Sequence, residues 1–203
     1  MTPVAPLIGI ARHRLATDGQ GVTTLVAFHG CPLRCRYCLN PQCLEPSGIQ
    51  QNITPQELLD KVRVDDLYFQ ATNGGICFGG GEPLLHSRFI ADFCRLCPPS
   101  WHICMETSLS TNLDTLREVL PFVHHFYIDI KDWNPVIYQR YTTRSIAPLH
   151  RNLEWLAQNI DTNRITLRLP HIPDYNTPDD VSRSRESLNA LGFKHFDELT
   201  YQT

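Results

Sequence analysis

Three cysteines lie within eight residues of one another, in the stretch HGCPLRCRYCLN at residues 29–40. Their spacing is Cys31-x3-Cys35-x2-Cys38, and an aromatic residue, Tyr37, precedes the last of them. Three thiolates in one tight loop can bind three irons of a cubane iron-sulfur cluster, which leaves the fourth iron open to a small chelating molecule. The spacing therefore favours a 4Fe-4S cluster whose ligands are these three cysteines.

A zinc site is the alternative explanation of the same residues, with Cys43 as the fourth ligand. Zinc sites usually take their ligands as two close pairs on separate turns, and a single short run fits that arrangement poorly. Under this alternative the protein would be a zinc-binding interaction module and not an enzyme.

The remaining cysteines have simpler explanations. Cys77 and Cys104 sit inside apolar, strand-like runs, where a buried and inert thiol is expected. Cys94 and Cys97 form a CxxC pair within an amphipathic run, without a second CxxC at zinc spacing, so we predict a structural role for them. No export signal accompanies these cysteines, which favours thiols in a reducing compartment over disulfides.

The composition excludes several classes of protein. The chain has 203 residues and a net charge of -3, with scattered basic residues, so we expect no nucleic-acid partner. No apolar stretch approaches the ~20 residues that cross a bilayer, so we expect no membrane span and a cytoplasmic location. This length predicts one domain over residues 1–203, and we expect a monomer.

Strand-like and helix-like segments alternate along the chain. Short runs rich in β-branched and aromatic residues predict buried strands at 22–28, 75–80, 101–106, 123–130, 164–169 and 198–201. Helical signals lie at 54–70, near 86–97, 112–120 and 149–159, and after Thr177. Thr54-Pro55-Gln56-Glu57 predicts a capping box at the first helix, and Thr177-Pro178-Asp179-Asp180 begins the last helix in a similar way. Six such repeats predict an α/β fold of parallel strands with right-handed crossovers, covered by helices.

Polar residues and glycines follow the carboxyl ends of the predicted strands. They are the cysteine loop (residues 29–40), Gly79-Gly80-Gly81-Glu82, Glu106-Thr107, Asp129 with Lys131, Arg168 and Tyr201-Gln202. In a parallel barrel or sheet these ends meet on one face, where binding sites are built. Asp129 and Lys131 are two residues apart on one predicted strand, so we expect both side chains to point to the same side. We therefore predict one deep site that is covered by the cysteine loop.

Several blocks of sequence together resemble a known family. The cysteine spacing is similar to the CxxxCxxC signature of radical S-adenosylmethionine (SAM) enzymes. Nearly the whole chain looks like the glycyl-radical-enzyme activating enzymes of the pyruvate formate-lyase activating type. The blocks that carry this resemblance lie at residues 18–41, 79–85, 105–108, 127–142 and 167–176.

The resemblance implies a partial (β/α)6 TIM-like barrel in which SAM chelates the open iron and is cleaved to a 5'-deoxyadenosyl radical. Cys31, Cys35, Cys38 and Lys131 would be the catalytic residues, and the three cysteines the ligands of a single cluster. The residues that would contact SAM are Tyr37, Gly79, Gly80, Gly81, Glu82, Glu106, Thr107, Asp129, Ile130, Lys131, Arg168 and Gln202. The implied partners are a glycyl radical enzyme, as protein substrate, and a flavodoxin or ferredoxin as electron donor.

Several of these residues also have a simpler explanation. The glycines would suit a tight turn, Asp129 and Lys131 a salt bridge, Tyr37 simple packing and Arg168 a strand-end charge. The sequence also departs from the family, because Leu39 and Gln202 stand where the family commonly has histidines. These departures keep a second function open, that of a small radical SAM enzyme acting on a peptide or a small metabolite.

Overall fold

The computed structural model describes residues 2–15 and 18–201. Within them the chain forms two compact units that interleave in sequence. The first is drawn from Met1–Cys31, Asn40–Glu106 and Asp114–His125, and the second from Pro32–Leu39, Thr107–Leu113 and Phe126–Thr203. The single domain predicted over residues 1–203 stays a prediction.

The first unit contains a five-stranded sheet. Its strands are β1 (Ala5–Leu15), β2 (Val22–Phe28), β3 (Gln51–Ile53), β4 (Gly75–Gly80) and β5 (His102–Thr107), in the order β3-β1-β2-β4-β5. Strands β2, β4 and β5 are parallel, whereas β1 runs antiparallel to β2 and β3. The accompanying helices are α1 (Pro55–Val62), α2 (Asp66–Thr72), α3 (Ser87–Leu96) and α4 (Leu113–Val119).

The second unit contains three parallel strands, β6 (His125–Asp129), β7 (Ile165–His171) and β8 (Phe196–Thr200), in that order. Its helices are α5 (Pro135–Thr142), α6 (Ala147–Asn159) and α7 (Pro178–Ala190). The strands of both units pair mainly in parallel, and the sheet is not closed. This arrangement confirms the predicted α/β class with an incomplete barrel. No helix in the described part of the chain is long and apolar enough to span a membrane.

All six predicted strands are present, but the sequence did not reveal β1 or β3. The outer half of β1 is exposed and contains Arg12, His13 and Arg14, so it lacks the regular alternation of a half-buried strand. His13 has a left-handed φ of 57° beside an irregularity in the pairing with β2. Pairing with β2, and not its own side-chain pattern, makes this segment a strand.

The predicted helix at 54–70 is two helices. It begins at the predicted capping box, in which the Glu57 amide donates to Thr54 Oγ1 at 3.3 Å and the Thr54 amide donates to Glu57 Oε2 at 2.8 Å. The helix ends at Val62, and a 3-10 turn places Asp65 in the interior. There Asp65 accepts hydrogen bonds from Arg12 and Thr24, which explains the break.

The cysteines outside the loop occupy the predicted environments. Cys77 and Cys104 are buried in β4 and β5. Burial raises the pKa of Cys104 to about 12, so its thiol is neutral and inert at neutral pH. Cys94 and Cys97 lie half-buried at the end of α3, where Cys97 Sγ donates to the Cys94 carbonyl at 3.4 Å.

Candidate functional site

The part of the cysteine loop that belongs to the second unit is held by the end of α5. The Arg34 amide donates to the Thr142 carbonyl at 3.0 Å, and the Arg36 amide donates to the Tyr141 carbonyl at 3.1 Å. The last carbonyls of a helix lack partners within the helix, so they are available to another segment. The positions of Cys35 and its neighbours are therefore fixed by backbone contacts to α5.

The start of the loop belongs to the first unit. The Gly30 amide donates to the Cys43 carbonyl at 2.8 Å, and Cys31 packs against the apolar cluster of Ile8, Ala27 and Cys43. Cys43 is only 1% exposed, so it is a core residue that holds the loop through its backbone. This burial argues against Cys43 as a fourth ligand to zinc.

The three motif cysteines, Cys31, Cys35 and Cys38, are half-buried. In the described part of the chain, no group of three or more His, Cys, Asp and Glu side chains is close enough to bind one metal ion. The thiolates of a cubane cluster bind separate irons, so they need not converge on one point. Each of the three thiols is partly accessible, as a ligand of such a cluster must be.

Lys131 joins two segments of the second unit. Its Nζ donates to Asp129 Oδ2 at 3.0 Å and to the Tyr201 hydroxyl at 3.0 Å, and only 11% of the side chain is exposed. The prediction that Asp129 and Lys131 share one strand is wrong, because β6 ends at Asp129. Lys131 has a left-handed φ of 65°, and the turn, not strand alternation, brings the two side chains together.

Burial or neighbouring charges raise the pKa values of Lys131, Cys35 and Tyr201. Burial alone would lower the pKa of Lys131, but Asp129, Tyr201 and Cys35 together outweigh this effect and the pKa lies well above its usual value. Burial raises the pKa of Cys35, and the positive charge of Lys131 offsets part of that increase. Burial also raises the pKa of Tyr201. At neutral pH the site therefore presents an ammonium group beside a neutral phenol and a thiol.

Tyr37 is held by aromatic neighbours. Its hydroxyl donates to Asp174 Oδ2 at 3.3 Å, and its ring meets the edge of Tyr175 with centroids 5.8 Å apart. The Tyr141 hydroxyl donates to the Tyr37 carbonyl at 3.4 Å, and the Tyr141 ring lies 6.4 Å from that of Tyr201. The sequence analysis placed Tyr201 at a strand end of the predicted site, but it did not assign Tyr141 or Tyr175 to the site. The sequence shows that these residues are aromatic, but it does not show which residues they contact.

The glycine turn after β4 packs against the segment that leads to the cysteine loop. The Gly81 amide donates to the Phe28 carbonyl at 2.9 Å, and Asn40 Nδ2 donates to the Gly80 carbonyl at 3.1 Å. Gly80 has a φ of 91°, and a Cβ on Gly81 would lie 2.2 Å from the Gly30 carbonyl oxygen. Close packing thus requires these glycines, and their predicted contact with SAM stays a prediction.

The other predicted SAM contacts in the first unit, and Thr107, make local contacts. A Cβ on Gly79 would lie 3.0 Å from Glu106 Oε2, so the Glu106 carboxylate covers that glycine. The buried Glu82 accepts a hydrogen bond from the Leu84 amide at 3.2 Å, which caps a 3-10 turn. Thr107 Oγ1 accepts from the Leu109 amide at 2.9 Å. The hydrogen bonds of Glu82 and Thr107 fix the turns that follow β4 and β5.

In the second unit, the Ile130 side chain is buried and its amide donates to the Arg168 carbonyl at 3.1 Å. The Arg168 guanidinium lies over the Tyr127 ring, 4.8 Å from its centroid, and its Nε is 3.7 Å from Asp197 Oδ2. These contacts match the strand-end role considered for Arg168. The remaining predicted residue, Gln202, lies outside the described residues.

Comparison with known proteins assigns the family. Residues 25–183 match the sequence profile of the Radical SAM superfamily. The chain belongs to the radical SAM superfamily. Enzymes of this superfamily use a 4Fe-4S cluster and SAM, so the predicted cofactors are confirmed, whereas the individual ligands stay predictions.

Two similar proteins are activating enzymes. The (2S)-3-sulfopropanediol dehydratase activating enzyme of Klebsiella oxytoca is 27% identical, over 87% of this chain and 75% of that protein. The pyruvate formate-lyase-activating enzyme of Listeria monocytogenes is 29% identical, over 100% of this chain and 84% of that protein. The resemblance noted in the sequence is thus confirmed at moderate identity over most of the chain.

Similarity to a solved structure provides evidence about the fold only. Streptococcus suis SuiB bound to precursor peptide SuiA matches with a TM-score of 0.65 and 10% identity, over 85% of this chain and 37% of that chain. At this identity the match indicates shared architecture and no shared substrate. The fold of this radical SAM protein is therefore similar to that of a larger enzyme.

Proposed function

We propose that this protein is a glycyl-radical-enzyme activating enzyme, which uses SAM to abstract one hydrogen atom from the backbone Cα of a glycine in a partner enzyme. The observation that carries the proposal is its similarity to two proteins named as activating enzymes, over 87% and 100% of the chain. Alignment over nearly the whole chain includes the later blocks at 105–108, 127–142 and 167–176 as well as the cysteine motif. The motif alone would support only membership of the superfamily.

In this proposal Cys31, Cys35 and Cys38 ligate the cluster. When bound, the reduced cluster supplies the electron that cleaves the bond between the SAM sulfonium and the ribose 5' carbon. The protein contributes a loop held by backbone hydrogen bonds, so that its thiols are partly positioned before the metal binds. Iron binding would displace the proton of Cys35, whose pKa burial raises.

Lys131 would hold the methionine carboxylate of SAM. An ammonium group has three donors, and hydrogen bonds to Asp129 and Tyr201 use two of them. The third donor would remain for an anionic ligand. Asp129 would accept hydrogen bonds from the ribose hydroxyls, since its carboxylate has acceptor sites beyond the one that Lys131 occupies.

Anaerobic reconstitution with iron and sulfide tests the proposal. We expect about four irons per chain, SAM-dependent release of 5'-deoxyadenosine, and a doublet glycyl signal by electron paramagnetic resonance when a glycyl radical enzyme encoded beside this gene is added. Tightly held zinc without SAM cleavage would favour the interaction module. Release of 5'-deoxyadenosine without a glycyl radical in that enzyme would favour a peptide or metabolite substrate.

A further inference from the structure

Helix α3 ends in a pair of cysteines that has no part in the proposed cluster or SAM chemistry. Cys94 lies in the last turn of the helix, and Cys97 is its C-cap, directly after Leu96. Neither cysteine is in a disulfide, and both are half-buried. Two nucleophilic groups therefore lie together at one helix end of the first unit.

The backbone fixes the separation of the two residues. The Cys97 amide donates to the Phe93 carbonyl at 3.1 Å, which continues the helical hydrogen-bond pattern as far as Cys97. Residues three apart in a helical turn have Cα atoms about 5 Å apart. A disulfide requires a Cα separation of about 4.4–6.8 Å. The main chain of this pair therefore suits a disulfide without rearrangement.

The two side chains are in contact. Cys97 Sγ donates to the Cys94 carbonyl at 3.4 Å, and the Cys94 thiol donates a hydrogen bond to the Cys97 sulfur. The bond between the thiols raises the pKa of Cys94, which burial raises further, and it lowers the pKa of Cys97. The two adjacent sulfurs thus differ in acidity, and Cys97 forms the thiolate more readily.

Access distinguishes this pair from a second pair of neighbouring cysteines. Cys77 and Cys104 are partners in the register of β4 and β5, but they are only 0% and 1% exposed. Reactive cysteines are partly exposed, whereas buried ones are inert. Cys94 and Cys97 are half-buried beside Leu96, which is 45% exposed, so a small molecule can reach them.

The pair is better suited to thiol exchange than to metal binding. Among residues 2–15 and 18–201, no group of three or more His, Cys, Asp and Glu side chains could hold a metal ion. Two thiols alone fall short of the four ligands of a structural zinc site. In thiol-disulfide exchange, by contrast, one thiolate attacks and a second thiol resolves the mixed disulfide. Two adjacent thiols of unequal acidity meet this requirement.

We propose that Cys94 and Cys97 form a modification site that reacts with low-molecular-weight disulfides and closes to an intramolecular disulfide. The Cys97 thiolate attacks one sulfur of the small disulfide, and the other sulfur leaves as a thiolate that takes up a proton. Cys94 then gives up its proton and attacks the Cys97 sulfur of the mixed disulfide, which releases the second small thiol. The protein loses two electrons and two protons, and the small disulfide gains them.

The position of Arg95 allows the product to be identified. Trypsin cleaves after Arg95, so Cys94 and Cys97 fall in two peptides, 89–95 and 96–117. The reconstituted protein is incubated anaerobically with glutathione disulfide, the remaining thiols are blocked with iodoacetamide, and the tryptic peptides are analysed by mass spectrometry. The proposed disulfide joins the two peptides, whereas reduced protein yields them separately with both thiols alkylated.

We expect the joined peptides to become the main form, to separate again after treatment with dithiothreitol, and the iron content to stay unchanged. Fragment ions should place the bond on Cys97 and not on Cys104, the other cysteine of peptide 96–117. Peptide 64–88, which contains Cys77, should remain unlinked and serves as the matched control. Equal formation of a Cys77-Cys104 link would contradict the argument from access.

Single variants test the order of the two steps. Cys94→Ala should accumulate glutathione on Cys97, because no second thiol is present to release it. Cys97→Ala should react several-fold more slowly at Cys94, because burial still raises the pKa of that thiol, whereas a backbone hydrogen bond lowers the pKa of Cys97. Equal rates of modification in the two variants would contradict the proposed order.

Three results with the parent protein would overturn the proposal. Full alkylation of both cysteines after exposure to glutathione disulfide would mean that the pair is inert. Glutathione that persists on Cys97 without the joined peptides would mean that Cys94 cannot resolve the mixed disulfide. Disulfide-linked dimers in place of the internal bond would mean that the thiols react between chains. These measurements need no SAM cleavage, so they stand independently of the proposed function.

Discussion

Lys131 Nζ lies 3.0 Å from the hydroxyl of Tyr201, a residue seventy positions later in the chain. This contact places an ammonium group, whose pKa is raised, at the end of two neighbouring segments of the second unit. The same nitrogen donates to Asp129 at 3.0 Å, so the side chain is held at two points. A positively charged group that is ordered in this way is suited to bind the carboxylate of SAM.

Substitution Tyr201→Phe tests whether this contact positions Lys131. Loss of one hydrogen bond at about 0.5–1.5 kcal/mol corresponds to a roughly 2- to 12-fold weaker affinity for SAM. We expect the KM for SAM to rise by about this factor, with kcat and iron content nearly unchanged. Tyr68→Phe, on an exposed tyrosine of α2, is the matched control. Loss of iron from Tyr201→Phe would show that its role is structural.

Substitution Lys131→Gln removes the charge and keeps a hydrogen-bond donor. Charged hydrogen bonds contribute about 1.5–3 kcal/mol, so we expect SAM affinity to fall at least about tenfold. Equilibrium binding of SAM to the reconstituted protein measures this change without catalysis. The proposed role of Lys131 would be wrong if the variant bound SAM as tightly as the parent.

The cluster assignment is tested by Cys35→Ala. We expect this variant to fold, because the loop lies outside the strands, but to lose the cluster and all release of 5'-deoxyadenosine. The double variant Cys94→Ala and Cys97→Ala is the control, and we expect it to retain iron and activity. Cleavage of SAM at the parent rate by Cys35→Ala would exclude this residue as a ligand, and iron loss from the double variant would overturn the structural role of that pair.

Steric contact around the glycine turn can be tested by Gly81→Ala. The new Cβ would lie 2.2 Å from the Gly30 carbonyl oxygen, one residue before Cys31. We expect a loss of about 1–3 kcal/mol in the free energy of unfolding, as for overpacked sites, and reduced iron content. Gly9→Ala is the control, because its Cβ would lie 3.6 Å from Gln50 Oε1, an ordinary contact. Similar unfolding curves for both variants would contradict this explanation.

The capping box of α7 predicts a pH-dependent contribution to stability. Hydrogen bonds from Thr177 and Arg183 lower the pKa of Asp180 from the usual 3.8 to about 2. A lowered pKa means that the stabilisation is present above pH 3.8 and is lost as the pH falls through 2. Asp180→Asn should therefore cost about 1 kcal/mol at pH 7.

Chemical denaturation at several pH values measures this contribution. The difference between Asp180→Asn and the parent should shrink between pH 4 and pH 2, where the parent carboxylate becomes protonated. The neighbouring variant Asp179→Asn is the matched control, because Asp179 is not part of the capping box. A difference that stays constant down to pH 2 would contradict the assignment.

The sequence by itself determined the features that depend on neighbouring residues. The spacing of Cys31, Cys35 and Cys38 spans eight positions, so the cluster motif needs no long-range contact to be recognised. The capping boxes at Thr54 and Thr177 are equally local, and the alternation of strands and helices predicted the open α/β fold. In each case the physical constraint acts over one turn or one strand.

Only the tertiary structure decided which distant residues meet. Tyr37 and Asp174 are 137 positions apart, and Lys131 and Tyr201 are 70 positions apart, so neither pair follows from local periodicity. The amides of the cysteine loop donate hydrogen bonds to the last carbonyls of α5, a helix that the sequence analysis did not predict. Backbone groups are identical in every residue except proline, so sequence cannot show which carbonyl accepts a given amide until the chain has packed.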